Sequence, residues 1–142
     1  MVDIPVRGFP IEEFETRVER LHKLMSAKGL AGILLMNEPE VRYLSGFLTQ
    51  FWQSPTRPWF LFVPADKKPI AVIPEIGAVL MRTTWIDDIR TWGAPAPKDD
   101  GISLLLDLLE PLSKQGAKLG IMKGHETSLR MPLGDYEHLM SG

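Results

Sequence analysis

The chain contains no cysteine, which excludes disulfides, thiolate metal sites and cysteine nucleophiles. It has no basic tract either: 16 lysines and arginines face 18 acidic residues, for a net charge of −2. Without a concentrated positive field, neither nucleic acid nor an anionic membrane surface is an expected partner. No apolar run approaches the roughly 18 residues of a membrane span. Met1-Val2-Asp3-Ile4-Pro5 lacks the basic start and apolar run of a signal peptide, so a cytoplasmic location is the expectation. The short motifs that carry chemistry are missing too. No GxGxxG or Walker pattern follows the first strand-like run, Ser45 has no GxSxG context, and no histidine sits in HExxH. His22, His125 and His138 fall on separate elements, so they do not converge as metal ligands. The run Ala31 to Met36 offers no carboxylate for two-metal nuclease chemistry. Taken alone, this domain is not expected to be an enzyme.

What is present reads as one globular domain. The 142 residues are 44% hydrophobic and 24% charged, ordinary for a folded chain and long enough to bury roughly 68% of the unfolded surface. Ile11, Phe14, Val18, Leu21 and Met25 recur at steps of three and four and predict a helix. Pro10 suits its first position and Lys28-Gly29 its finish. Ala31–Met36, apolar on both faces, predicts a central strand. Trp59–Val63 and Ile70–Ile73 predict a hairpin across Pro64-Ala65-Asp66-Lys67-Lys68-Pro69. A helix over 77–85, a strand over 88–92 and a helix from Gly101 to Leu112 follow. Asp99 or Asp100 is its cap, and Pro111 limits its end. Lys118–Met122 predicts a last strand and Leu133–Met140 a last helix. The order predicts an α/β fold, a mixed β-sheet sandwiched by helices. Tyr136, Leu139 and Met140 are still in pattern where the sequence stops. Either the natural chain continues, or the terminal helix docks on the domain.

The most unusual stretch is GFLTQFWQSPTRPWFLFVP, Gly46 to Pro64, where six large aromatics crowd a turn broken by two prolines and an arginine. Trp59 and Phe60 sit in a strand-like run and read as core. Phe51 and Trp52, before the proline turn, read equally as core or as a surface that another molecule covers. Arg57 is either a solvated arginine or a ligand-facing one. Tyr43 reads as a packed tyrosine with a bonded hydroxyl, Asn37 as an amide organising a loop, and Ser45 as a turn serine.

FETRVERLHKLMSAKGLAGILLMNEPEVRYLSGF, with Phe14, Arg17 and Leu21 in an F-x-x-R-x-x-x-L run, resembles the N-terminal domain of creatinase, prolidase and the Xaa-Pro aminopeptidases. The Asn37-to-Tyr43 spacing and the Tyr43-Leu44-Ser45-Gly46-Phe47 cluster are its specific part. LFVPADKKPIAVIPE and LGIMKGHETSLRMPLGDYEHL extend the likeness over nearly the whole chain. The resemblance implies a single N-terminal domain over residues 1–142, with its core about 10–140 and a ribonuclease H-like architecture. It also implies a catalytic pita-bread domain downstream, holding two divalent metal ions (Mn, Co or Zn). In such proteins the N-terminal domain builds a homodimer and reaches over the partner subunit's active site. The implied substrate is a peptide or a small C–N compound. The substrate contacts it implies here fall on Phe51, Trp52 and Arg57, although Gln53-Ser54-Pro55-Thr56 departs from the creatinase spacing. No catalytic or metal-ligating residue is carried over. Relatives of other function leave two alternatives: a protein-binding module from a catalytically dead pita-bread protein, or the N-domain of a creatinase-like or ectoine-hydrolase-like enzyme.

Overall fold

The spacing of Phe14, Val18 and Met25 buries all three on one face of α1 (Ile11–Lys28), whereas Ile11, the first member of the predicted stripe, is exposed. Pro10 stands one place before the helix. Gly29 closes it in the left-handed region (φ 65°), its N–H donated to the Met25 and Ser26 carbonyls. These details come from a computed structural model, which describes residues 8–55 and 57–142. The strand β1 (Leu30–Leu35) follows directly.

The next element departs from the sequence reading. Residues 38–45, left without an element there, form α2 (Glu38–Ser45). Its marks are in the chain: Pro39 in the first turn, Glu38 and Glu40 at the positive end, and Gly46 (φ 75°) at the finish. Two turns carry only Val41 and Leu44 as buried apolar residues, too few for a period to show. Ser45 ends this helix rather than sitting in an open turn. Its Oγ donates to the Val41 carbonyl at 2.5 Å and accepts the Phe47 N–H at 3.0 Å.

The hairpin forms as expected from β2 (Phe60–Pro64) and β3 (Ile70–Pro74). The helix expected over 77–85 is a single turn, α3 (Ala78–Met81). It stops because the Thr83 and Thr84 hydroxyls donate to the Leu80 and Met81 carbonyls, each at 2.7 Å. After β4 (Asp88–Trp92) comes α4 (Ile102–Lys114). Neither Asp99 nor Asp100 stands at the N-cap position, which is Gly101 (φ 92°); Asp99, two residues earlier, accepts the Ser103 N–H at 3.0 Å. The hydrogen bonds from Ser103 hold the Asp99 carboxyl below its ordinary range. That contribution is therefore present above the ordinary carboxylate pKa and lost as pH falls through the lowered one. Asp100 instead accepts the Trp92 indole N–H at 2.8 Å. Pro111 lies inside α4 and does not end it. One intrahelical bond is forfeited, but Leu112 still packs on the core and the helix runs on to Lys114. The chain ends with β5 (Lys118–Ile121) and α5 (Leu133–Ser141).

The five strands order as β4-β3-β2-β1-β5. β1 is parallel to β5, β3 is parallel to β4, and β2 runs antiparallel to both β1 and β3. Four strands thus point one way and β2 alone runs back. Helices α1, α2 and α3 cover the face bearing Leu35, Leu61, Val63, Ala71 and Ile73. α4 and α5 cover the face bearing Leu34, Phe60, Phe62, Ile70 and Val72. This is the expected α/β architecture, a mixed sheet sandwiched by helices. Tyr136 and Leu139 dock α5 onto that second face, while Met140 is exposed.

One buried cation ties α1 to α2. Arg17 is 8% exposed, pairs with Glu13 at 3.0 Å and donates to the Tyr43 carbonyl at 2.8 Å. Its guanidinium lies 4.3 Å from the Tyr43 ring centre and 4.4 Å from that of Phe9. Tyr43 is accordingly not the packed tyrosine expected: it is half exposed, and its ring covers Arg17. Arg17→Ala should cost about 2–3 kcal/mol, the charge-assisted bond plus the packing of the stem. That lowers the melting temperature by about 4–12 °C in a chain of this size. A thermal melt unchanged from wild type would show that α1 and α2 hold together without this arginine.

Candidate functional site

The strand directions bring one set of ends together. The carboxyl ends of β1, β3, β4 and β5 lie level with the start of β2, as the pairs Leu35–Leu61, Val72–Phe60, Pro74–Trp92 and Leu34–Ile121 show. In open α/β sheets this end is where ligand crevices form. Here it is closed by the aromatic stretch that precedes β2. Trp59 is fully buried and is the hub of that closure. Phe51 stacks on it at 6.1 Å with the rings 5° apart, Trp52 tilts against it at 6.0 Å, and Phe47 lies at 5.6 Å. Gly77, just after β3, is where the indole lands. A Cβ there would come within 2.3 Å of the Trp59 ring, so only glycine admits this approach.

The structure brings Phe51 and Trp52 together and sets Arg57 a little beyond them. Both aromatics belong to a 3₁₀ turn, Gln50–Gln53, opened by Thr49, whose side chain accepts the Phe51 N–H at 3.2 Å. Trp52 is buried and Phe51 half-buried, so the ring of Phe51 is the one partly open to solvent. Arg57 lies half-buried between Pro55 and Pro58 and forms no ion pair with a described residue.

Arg130 also belongs to this site, although the sequence carried no mark of it. It stands in the loop between β5 and α5 and donates Nη2 to the carbonyls of Trp52, at 2.9 Å, and Ser54. Its guanidinium lies 5.0 Å from the Trp52 ring centre. Burial pushes its pKa below the ordinary arginine value, with Glu38 opposing. Its Nε and the indole N–H groups of Trp52 and Trp59 are buried without an acceptor among the described residues. Asn37, the expected organiser of a loop, is that: it donates to the Ser128 carbonyl and accepts the Ser128 hydroxyl, each at 3.0 Å.

Among the described residues no group of three or more His, Asp or Glu side chains could hold a metal ion. The described residues therefore do not themselves supply the two-metal centre, which the resemblance assigns to a separate catalytic domain. A cleft of about 670 Å³ lies away from the aromatic turn, between α4, β5 and α5, lined by Leu106, Leu109, Leu119, Tyr136 and Leu139.

The packing sets two expected outcomes for stability. Trp59→Ala should cost about 3–5 kcal/mol, from lost burial and the cavity left behind. Gly77→Ala should cost about 1–3 kcal/mol, because the indole it strikes is held on three sides. Denaturant melts of both variants check this. A Gly77→Ala variant as stable as wild type would mean that the indole can move aside.

Comparison with known proteins follows from this geometry. The model of the Creatinase/Prolidase N-terminal domain matches residues 17–141. Among solved structures, dipeptidase PepE from Mycobacterium ulcerans superposes with a TM-score of 0.69 at 19% identity, over 93% of this chain and 34% of that one. A recombinant prolidase from Thermococcus sibiricus gives 0.71 at 18%, over 90% and 32%. The N-terminal domain of Xaa-Pro dipeptidase from Lactobacillus brevis gives 0.64 at 17%, over 88% and 86%. At these identities the likeness is one of fold. The chain spans about a third of the length of the first two. No curated protein matches it. No described helix is long and apolar enough to cross a membrane. With the family model running through every element from the first helix to the last, the chain belongs to the creatinase/prolidase N-terminal domain family.

Proposed function

We propose that this chain is the non-catalytic N-terminal domain of a metal-dependent hydrolase of the Xaa-Pro dipeptidase or aminopeptidase type. In this reading it forms a homodimer and caps the active site of the partner subunit. The observation that carries the reading is the anchored aromatic turn. Trp52 and Trp59 are fixed in the core, while Phe51 and Arg57 beside them are only half-buried at the carboxyl end of the sheet. Family membership and the likeness to a third of PepE and of the prolidase support it, since the rest of those chains lies outside the match.

The chemistry of these groups suits a cap. A guanidinium can fork onto a substrate carboxylate with two parallel hydrogen bonds, which a lysine cannot reproduce. A half-buried phenylalanine closes the remaining opening and excludes water. The two divalent ions, Mn, Co or Zn, would be held by a separate catalytic domain. A twofold arrangement would place each turn over the partner's site reciprocally.

Arg57→Ala should leave the stability of the domain within about 0.5 kcal/mol, as for other substitutions away from the core. In the full-length enzyme it should lower kcat/KM about 10-fold or more, the loss of one charge-assisted bond to substrate. Unchanged kinetics would remove the cap and leave the turn as ordinary surface. Light scattering checks the dimer independently. A monomeric mass for both the domain and the full-length protein would count against it.

A further inference from the structure

The turn that precedes Arg57 closes with three local bonds: Trp52 N–H to the Thr49 carbonyl at 3.4 Å, Ser54 N–H to the Phe51 carbonyl at 3.1 Å and Phe51 N–H to the Thr49 hydroxyl at 3.2 Å. Beyond it, Pro55 and Pro58 have no N–H to give to the sheet. Two carbonyls at the end of the turn, those of Trp52 and Ser54, are taken by a single side chain nearly eighty residues away in sequence, Arg130. The loop that carries Arg130 is itself tied down at the same end of the sheet. Its backbone N–H meets Met36 Sδ at 3.2 Å, and the Asn37–Ser128 pair clamps it two residues earlier. Met131, the next residue, is buried in the second core cluster. The latch is tied to the sheet at one end and grips the carbonyls at the end of the turn at the other.

We propose that Arg130 is a positioning residue: it latches the aromatic turn to the β1–α2 junction and so sets where Phe51 and Arg57 stand toward a bound substrate. The proposal rests on the reading that this turn caps an active site. Arg130 touches no substrate in this scheme. It acts through the Trp52 and Ser54 carbonyls, five and three residues before Arg57, and through the face of the Trp52 ring. Trp59 also has contacts that lie outside the latched turn, with Phe47 and over Gly77.

The test uses Arg130→Met, which keeps a stem of similar length over Trp52 but removes every donor, and Arg130→Lys, which restores one donor. Amide hydrogen exchange on this chain should quicken about 10-fold or more at Trp52 and Ser54 in Arg130→Met, because local opening there no longer breaks the latch. Exchange in β1, β2 and β3 should stay as in wild type, and Arg130→Lys should recover part of the protection. In the full-length enzyme Arg130→Met should raise KM about 5-fold or more with little change in kcat, the pattern of lost substrate positioning outside the transition state. Arg57→Ala is assayed beside it. Unaltered exchange at the turn in Arg130→Met overturns the latch, whatever Arg57→Ala does. Faster exchange with KM unchanged, while Arg57→Ala is impaired, overturns the positioning role. Faster exchange with both variants kinetically silent overturns the capping reading itself, and the positioning role with it. Faster exchange with KM raised in Arg130→Met and kcat/KM lowered in Arg57→Ala supports both.

Discussion

A chain interrupted by prolines cannot knit itself to a sheet with its own amides, and this constraint governs the end of the molecule where four strands point the same way. Pro55 and Pro58 give no N–H to a ladder, so the stretch before β2 must be fixed by side chains. Trp59 does most of this. It fills the space over Gly77, gathers Phe47, Phe51 and Trp52 around itself, and leads directly into β2, the one strand that runs against the others. The indole N–H has no acceptor among the described residues, and the contribution seen there is apolar area and shape.

Two arginines supply the polar half of the same task, and they work alike. Arg17 joins α1 to α2 through the Tyr43 carbonyl, and Arg130 joins the last loop to the aromatic turn through the carbonyls of Trp52 and Ser54. Each lays its guanidinium on aromatic rings while its N–H groups meet backbone carbonyls. A planar, delocalised cation is less strongly hydrated than an ammonium and tolerates this partial burial. In each case an irregular junction between elements, where backbone pairing is unavailable, is closed by one long side chain from elsewhere.

The elements that the sequence made legible were those with a period long enough to read. Phe14, Val18 and Met25 mark α1, Ile102, Leu105 and Leu109 mark α4, and the apolar runs at 31–36, 59–63 and 70–73 mark three strands, each to within a residue at its ends. The α2 helix was missed because eight residues offer too few apolar positions, and α3 was drawn too long because the Thr83 and Thr84 hydroxyls compete for the last carbonyls. At the site, Trp59 was legible as core from its place beside an apolar strand. Arg130 was not, since nothing local distinguishes it from other loop arginines. Its partners are 76 and 78 residues away, and a contact of that range has no signature in spacing or composition.

The division between what is buried and what is half-open in the turn bears on how such a surface can serve a second molecule. A binding loop must hold its shape without a ligand, or it spends binding energy on ordering itself. Alternate residues meet that need here. Trp52 and Trp59 are buried and belong to the fold. Phe51, adjacent to Trp52, and Arg57, two residues before Trp59, are partly free of it. Because the anchors and the presenting groups sit on one short segment, the position of Arg57 is referred to the core within a few residues. Between those anchors the Ser54 carbonyl is set from outside, by Arg130. It is there that a donor from a distant loop has the most leverage.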